Sequence, residues 1–206
     1  MSFWFFLSVL GVVTVVPIHF ASVSHIRLDE RYGKERGTRI GAILGMISGW
    51  GIFLFLFGLW FSPQPQFIIP IISDALLIIP ILGFFTFQIP VLHLILFVAI
   101  ILPGAWLGIR GVTDIGLEAS ETHRPTQIIT TGLYSRIRHP QYLGAMLSHI
   151  GITFLVSGFY SLLVTPLVIF VNWLLCWKEE KELVREFGND YREYQKAVPM
   201  FFPRRN

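Results

Sequence analysis

Two groups of residues have side chains suited to chemistry on a charged molecule. The first lies in RIRHPQYLG, residues 136–144, and combines arginine, histidine and tyrosine. The second is the pair Glu179 and Glu180. Arginine binds anions such as carboxylates, glutamate accepts hydrogen bonds from cations, and aromatic faces attract cations. Pro140 suits the first position of a helix, and the first turn of a helix favours an anion.

The chain between the two groups indicates how they meet. Residues 143–177 contain no charged side chain. A single helix of this length would measure about 52 Å, which exceeds a hydrocarbon core of about 30 Å. Serine and glycine at 157–161 indicate a turn that divides it into two short spans, 143–157 and 160–177. Because a hairpin brings its two ends together, the sequence predicts that Arg138 and His139 meet the two glutamates.

The composition is that of an integral membrane protein. Of the 206 residues, 53% are hydrophobic and 14% are charged, against about a quarter charged in soluble domains. All 16 Lys and Arg residues fall in the windows 24–39, 110–138 and 178–205. Basic loops favour the cytosolic side. We therefore predict a single all-α membrane domain, 1–206, with cytosolic elements at 110–142 and 178–206. The five transmembrane helices are expected at about 3–23, 40–61, 84–109, 143–157 and 160–177.

Two segments need separate interpretation. Residues 62–83 are apolar but contain four prolines and Asp74, which break a helix or make its insertion unfavourable. A span there would also send 110–138 to the opposite side, so a loop or re-entrant segment is expected. Residues 178–197 predict an amphipathic helix that covers the site. Its inward face carries Leu183, Phe187, Tyr191, Tyr194 and Glu179.

The remaining histidines and arginines have ordinary structural interpretations. No histidine pair has helical ligand spacing, and Cys176 is the only cysteine, so no metal is expected. The net charge of +3 is modest, and no nucleic acid is expected as a partner. Arg110 and Arg136 are interpreted as membrane anchors. Packing or surface positions are assigned to His19, His25, His93, His123 and His149.

The string TGLYSRIRHPQYLG, followed by EEKELVREFGNDYREYQKAVP, resembles the isoprenylcysteine carboxyl methyltransferases and the wider group of membrane methyltransferases. The shared pattern is G-x-Y and R-H-P-x-Y-x-G, then E-E-x-x-L, F-G-x-x-Y-x-x-Y and V-P. It extends over roughly residues 126–203, whereas residues 1–110 match only in being membrane spans. The sequence contains no G-x-G-x-x-G motif, so the usual soluble methyltransferase fold is not expected.

The resemblance implies a membrane enzyme that uses S-adenosyl-L-methionine, releases S-adenosyl-L-homocysteine and methylates the C-terminal carboxylate of a prenylated cysteine. Its partners would be the bilayer and this lipophilic substrate. The site would face the cytosol, at the cell membrane of a prokaryote or the endoplasmic reticulum of a eukaryote. Arg138 is expected to hold the carboxylate, with Glu180 as the second catalytic residue. The implied cofactor residues are Thr126, Gln127, Ile128, Ile129, Tyr134, His139, Pro140, Gln141, Tyr142 and Glu179.

The methyl acceptor stays open at this point. Leu175 occupies the position of an arginine implicated in substrate contact in eukaryotic members, and the compact chain resembles a prokaryotic relative. A phospholipid amine or a small thiol is an alternative acceptor, with His139 as the base. A more remote alternative is an NADPH-dependent sterol reductase, whose R-H-x-N-Y-x-G-D element differs at Gln141 and Ala145. A transporter or scaffold is disfavoured because ionisable residues are scarce within the spans.

Overall fold

The computed structural model describes residues 1–70, 76–81, 85–116, 119–120 and 127–203. Thr126, Asp74 and His123, which figure in the sequence interpretation, lie outside these residues. The described helices are α1 (Phe3–Ser22), α2 (His25–Tyr32), α3 (Lys34–Phe61), α4 (Val91–Ile115), α5 (Pro140–Leu155), α6 (Phe159–Phe187) and α7 (Asn189–Ala197). Strands β1 (Leu76–Ile81) and β2 (Phe85–Pro90) form an antiparallel hairpin with Leu76 opposite Pro90.

Helices α1, α3, α4 and α6 are long and apolar enough to cross a membrane. The predicted helical membrane fold is thus confirmed for four of the expected spans. Helix α5 has 16 residues and a length of about 24 Å, which is less than a hydrocarbon core of about 30 Å. The count of five spans stays a prediction that depends on α5.

The expected span at 84–109 begins too early. Residues 85–90 form β2, which pairs with β1, and α4 runs from Val91 to Ile115. Short runs of β-branched and aromatic residues are as compatible with strands as with helices. Pro90 stands at the N-cap of α4, where proline is tolerated because its missing N–H is not needed.

The predicted amphipathic helix at 178–197 is two helices. Its first half continues α6 as far as Phe187, and the second half is α7. Gly188 separates them with φ of 61°, a left-handed conformation that glycine adopts at little cost. The chain therefore changes direction at Gly188 before α7 begins.

The packing of α1 against α3 and α6 brings the start of the chain to the later helices. A buried apolar cluster joins Phe5 and Val12 of α1, Leu59 of α3, and Val171 and Leu175 of α6. Phe5, Val12 and His19 are seven residues apart and so lie on one face of α1. The same buried face of α1 therefore reaches the end of α6 at which Glu179 lies.

The glycine of RIRHPQYLG is required by the contact between α4 and α5. A β-carbon at Gly144 would lie 2.6 Å from the carbonyl oxygen of Gly104 and 2.7 Å from the backbone nitrogen of Gly108. Backbone atoms cannot move aside as a flexible side chain does, so any larger residue would push the two helices apart. This close packing fixes the N-terminus of α5 beside α4.

Candidate functional site

The two polar groups meet as the hairpin predicts. Arg138 Nε lies 2.6 Å from Glu180 Oε1, and His139 Nε2 lies 3.1 Å from the same oxygen. His139 Nδ1 is 3.8 Å from Glu179 Oε2. The turn between α5 and α6 falls at residues 156–158, where Ser157 adopts φ of 51°. The N-terminus of α5 and the charged end of α6 therefore form one site.

The residues just before α5 determine the backbone conformation in which the chain enters this helix. Pro140 is the first helical residue, and His139 before it has φ of −128° and ψ of 62°, outside the helical region as expected before proline. A 3-10 turn at Gly132–Ser135 precedes it and buries the ring of Tyr134. The backbone N–H of Leu133 donates to Asp114 Oδ2 at 2.8 Å. This contact attaches the 3-10 turn to α4.

Arg138 joins α5 to the C-terminal segment. Its side chain is 9% exposed, and Nη1 donates to the carbonyl oxygens of Gln195, at 3.0 Å, and Val198. Its backbone N–H donates to the carbonyl of Pro199 at 3.0 Å. Because Nη1 and the backbone N–H bind carbonyl oxygens of residues 195–199, Arg138 holds the end of α7 and the residues after it over the site.

Glu180 has both carboxylate oxygens engaged. Oε1 accepts from Arg138 and His139, and Oε2 accepts from Gln195 Nε2 at 2.8 Å. The residue is buried, and a buried carboxylate is stabilised only when it is paired and hydrogen-bonded. Glu180 therefore fixes the positions of the arginine, the histidine and α7 relative to one another.

Glu179 binds a different set of partners. Its Oε1 accepts a hydrogen bond from the hydroxyl of Tyr142 and lies 3.1 Å from His19 Nε2. His19 belongs to α1 and is 3% exposed. The interpretation of His19 as a packing residue was therefore incomplete, since its ring contacts the site. The only signal in the sequence is the position of this histidine in the last turn of an otherwise apolar span.

A cavity lies beside these residues, between the end of α4, the start of α5 and the charged end of α6 and α7. Most of the residues predicted to bind a cofactor line it. Pro140, predicted to bind the cofactor, and Glu180, predicted to be catalytic, do not. Thr126 lies outside the described residues. The predicted residues that do line it are Gln127, Ile128, Ile129, Tyr134, Arg138, His139, Gln141, Tyr142 and Glu179. The lining that the motif did not indicate includes Ile115, Ala119 and Ser120.

The inward face predicted for residues 178–197 is confirmed although the helix is broken. Leu183, Phe187, Tyr191 and Tyr194 all line the cavity. The hydroxyl of Tyr194 donates to the carbonyl of Tyr134 at 2.7 Å. Burial raises the pKa of the phenols of Tyr134, Tyr191 and Tyr194 well above the ordinary value. These rings are therefore neutral at physiological pH and form an aromatic wall.

Polar side chains close the other wall of the cavity. Ser120 Oγ donates to Gln141 Oε1 at 2.9 Å, and Gln141 Nε2 donates to the hydroxyl of Tyr134 at 3.1 Å. This chain orients the Tyr134 ring. Among the described residues, no group of three or more histidine, cysteine, aspartate or glutamate side chains is placed to hold a metal ion.

Comparison with known proteins supports the resemblance that the motifs indicated. The profile of the phospholipid methyltransferase family, PEMT, matches residues 92–190, just under half of the chain. This match covers α4, α5, α6 and the beginning of α7, and so includes most of the residues around the cavity. The resemblance to membrane methyltransferases is thus confirmed for the part of the chain that builds the site.

Three proteins similar to this chain differ in the activity that their names state. A protein-S-isoprenylcysteine O-methyltransferase of Schizosaccharomyces pombe is 33% identical over 41% of this chain and 36% of its own. Methanethiol S-methyltransferase 1 of Bradyrhizobium diazoefficiens is 34% identical over 47% and 32%. Delta(14)-sterol reductase of Mus musculus is 29% identical over 41% and 21%. The chain thus spans only about a third or less of the length of these relatives.

Proposed function

We propose that this chain is a membrane methyltransferase that uses S-adenosyl-L-methionine and methylates the C-terminal carboxylate of a prenylated cysteine. The observation that carries the proposal is the lining of the cavity. Among the described lining residues Glu179 is the only carboxylate, and most of the others are aromatic or aliphatic. Such a cavity suits a ligand that joins a cationic group to flat and apolar parts.

The lining fits the parts of S-adenosyl-L-methionine. The carboxylate of Glu179 would accept hydrogen bonds from the ammonium group, and the rings of Tyr134 and Tyr142 would face the sulfonium by cation–π attraction. Ile128 and Phe187 would pack against the adenine. When bound, the cofactor supplies a methyl group activated on a positively charged sulfur. The protein then has to bind, orient and desolvate the acceptor.

A carboxylate acceptor suits the charges of this site. It is already ionised at neutral pH and needs no general base. Arg138 lines the cavity, and its bonds to described residues use Nε and Nη1, so Nη2 is the atom we assign to the acceptor. We assign Glu180 the role of positioning Arg138, because its two oxygens already accept from three side chains.

The position of the site relative to the bilayer supports a lipophilic acceptor. The spanning helices α1 and α3 carry exposed apolar side chains such as Trp4, Leu10, Trp50 and Leu54, as lipid-facing surfaces do. The site lies at the charged end of α6, beyond its apolar part. A water-soluble cofactor could enter from the cytosol while a prenyl chain stays in the hydrocarbon. The host membrane would be the cell membrane of a prokaryote or the endoplasmic reticulum of a eukaryote.

A small thiol is the second candidate acceptor, because a methanethiol S-methyltransferase is among the similar proteins. A neutral thiol must lose a proton before it attacks. His139 lines the cavity and holds Glu180 through Nε2, so it is the base that such an acceptor would use. The S-methyltransferase alternative therefore predicts a dependence on His139 that carboxylate methylation does not require.

The first test is binding of S-adenosyl-L-homocysteine to the purified protein by calorimetry, with Glu179→Gln as the matched variant. We expect binding to the wild type and a loss of about tenfold or more in affinity in the variant, since hydrogen bonds to charged groups contribute about 1.5–3 kcal/mol. Unchanged affinity in the variant would remove Glu179 from the cofactor site.

The acceptor is then identified by offering labelled S-adenosyl-L-methionine with a farnesylated cysteine, a phospholipid amine or methanethiol. Methyl transfer to the farnesylated cysteine in preference to the other two is the expected result. A parallel assay with a Δ14-sterol and NADPH tests the reductase alternative. Reduction of the sterol without methyl transfer would overturn the proposal.

A further inference from the structure

We infer that His19 of the first helix is a positioning residue for Glu179, so that the N-terminal span forms part of the cofactor site. The inference rests on the proposed function, since it concerns the carboxylate that would bind the cofactor. The family match begins at residue 92 and therefore does not include α1. His19 therefore adds to the site a side chain from outside the matched residues.

The geometry places two donors on one carboxylate oxygen. His19 Nε2 lies 3.1 Å from Glu179 Oε1, and the hydroxyl of Tyr142 donates to the same oxygen. His19 Nε2 is also 3.4 Å from the Tyr142 hydroxyl, and the two rings meet edge to face at 6.5 Å. Two donors from two different helices fix both the position and the rotation of the carboxyl group.

The surroundings explain why a donor is needed. The Glu179 side chain is 11% exposed and the His19 side chain 4% exposed. A carboxylate removed from water is costly unless hydrogen bonds replace its solvation. His19 stabilises the charged form of Glu179 in the orientation that the cavity requires, and that charged form is the one that would bind an ammonium group.

Helix α1 is held where this contact needs it. Val12, seven residues before His19, lies in the buried cluster with Leu175, four residues before Glu179. These spacings put each pair on one helix face. The polar contact is thus the continuation of the apolar seam between α1 and α6. Shifts of α1 along this seam would move the carboxylate of Glu179.

The experiment compares two substitutions of His19 in the full-length protein. Glutamine can place its side-chain amide near the position of Nε2 and keep a donor, whereas leucine keeps volume and removes it. We expect His19→Leu to weaken binding of S-adenosyl-L-homocysteine by about tenfold, the loss of one hydrogen bond to a charged group. His19→Gln should stay within about threefold of the wild type. In turnover assays His19→Leu should raise KM for S-adenosyl-L-methionine more than it lowers kcat.

His149 supplies the matched control. It is a buried histidine of α5 whose ring bonds Trp60 Nε1 at 3.1 Å and Thr165 Oγ1 at 3.2 Å, and it does not line the cavity. His149→Leu should lower Tm while the affinity for S-adenosyl-L-homocysteine stays that of the wild type. This control separates a loss of stability from a loss of positioning.

The binding measurements distinguish failure of the role of His19 from failure of the proposed function. If the wild type does not bind S-adenosyl-L-homocysteine, the proposed function fails and the role of His19 fails with it. If the wild type binds and Glu179→Gln does not, yet His19→Leu binds normally, the inference alone is overturned. Equal losses in His19→Leu and His19→Gln would also overturn it, because the hydrogen-bond donor would then not be the group that matters.

Discussion

Polar side chains lie at both ends of the α5–α6 hairpin, but their bonding partners differ. At the turn, Gln64 donates from Nε2 to the carbonyls of Leu59 and Trp60 at 2.9 and 3.1 Å, and its Oε1 accepts from the Ser161 N–H at 2.9 Å. At the opposite end, Arg138 and Glu180 bond to each other at 2.6 Å beside a cavity. One end is neutral and largely bonded to backbone, whereas the other is charged and largely bonded between side chains.

The difference suggests a structural purpose for the polar groups at the turn and a separate purpose for the charges beside the cavity. The carbonyls at the C-terminal end of α3 have no partners within their own helix, and Gln64 supplies donors to them. Neutral partners serve this purpose at lower desolvation cost than ions. A buried ion pair stabilises a fold little compared with apolar packing. The charges beside the cavity are therefore the ones to which we assign the proposed binding roles, and the two ends should respond differently to substitution.

The largest expected effect follows from Arg138→Ala. It removes the cation assigned to the acceptor and leaves Glu180 buried without its arginine partner, which costs about 3–5 kcal/mol. We expect methyl transfer to be abolished and Tm to fall. Because the stability loss could account for the inactivity, the informative variant is the double substitution Arg138→Met with Glu180→Gln, which removes both charges.

The double variant should regain most of the Tm without regaining transfer, since no unpaired charge then remains buried. Activity is measured with labelled S-adenosyl-L-methionine and the farnesylated cysteine, and Tm is measured on the same preparations. Turnover near that of the wild type in the double variant would contradict the assignment of Arg138 to the acceptor. In that case Arg138 and Glu180 would stabilise the fold, as we propose for Gln64 at the turn.

An intermediate effect is expected at the turn. Gln64→Leu removes the side-chain donor to the Trp60 carbonyl, whereas the Leu59 carbonyl still accepts from Ser161 Oγ at 3.1 Å. A backbone carbonyl left unsatisfied costs about 1–3 kcal/mol. Tm should fall, whereas the affinity for S-adenosyl-L-homocysteine should equal that of the wild type. A lower affinity in this variant would show that the turn and the cavity are coupled, and the contrast between the two ends would fail.

The sequence predicted the charged end because its signals are local and strong. Charge segregation and the length of the apolar run predicted that the two polar groups would meet, and their contact is confirmed. The contact of His19 with Glu179 joins residues 160 positions apart, and no periodicity or motif encodes such a distance. The carbonyls that Arg138 binds belong to a segment whose path depends on the bend at Gly188.

The errors in the fold have the same kind of cause. Residues 85–90 are apolar enough for a span, and only their pairing with β1 makes them a strand. Tertiary partners decide such short segments, so the pattern alone is ambiguous. The glycine at 188 is a visible breaker within an amphipathic pattern. Its φ of 61° makes one predicted helix into two, although the predicted inward residues still line the cavity.

The smallest expected effect separates the two arginines of RIRHPQYLG. Arg136 is exposed, whereas Arg138 two residues later is largely buried against Glu180. Exposed substitutions away from special contacts usually change stability by less than about 0.5 kcal/mol. Arg136→Gln should therefore leave Tm, affinity for S-adenosyl-L-homocysteine and transfer at wild-type values in detergent. A loss of transfer comparable to that of Arg138→Ala would show that Arg136 also reaches the acceptor. The positive charge of an arginine, and not its burial against Glu180, would then decide its effect on transfer.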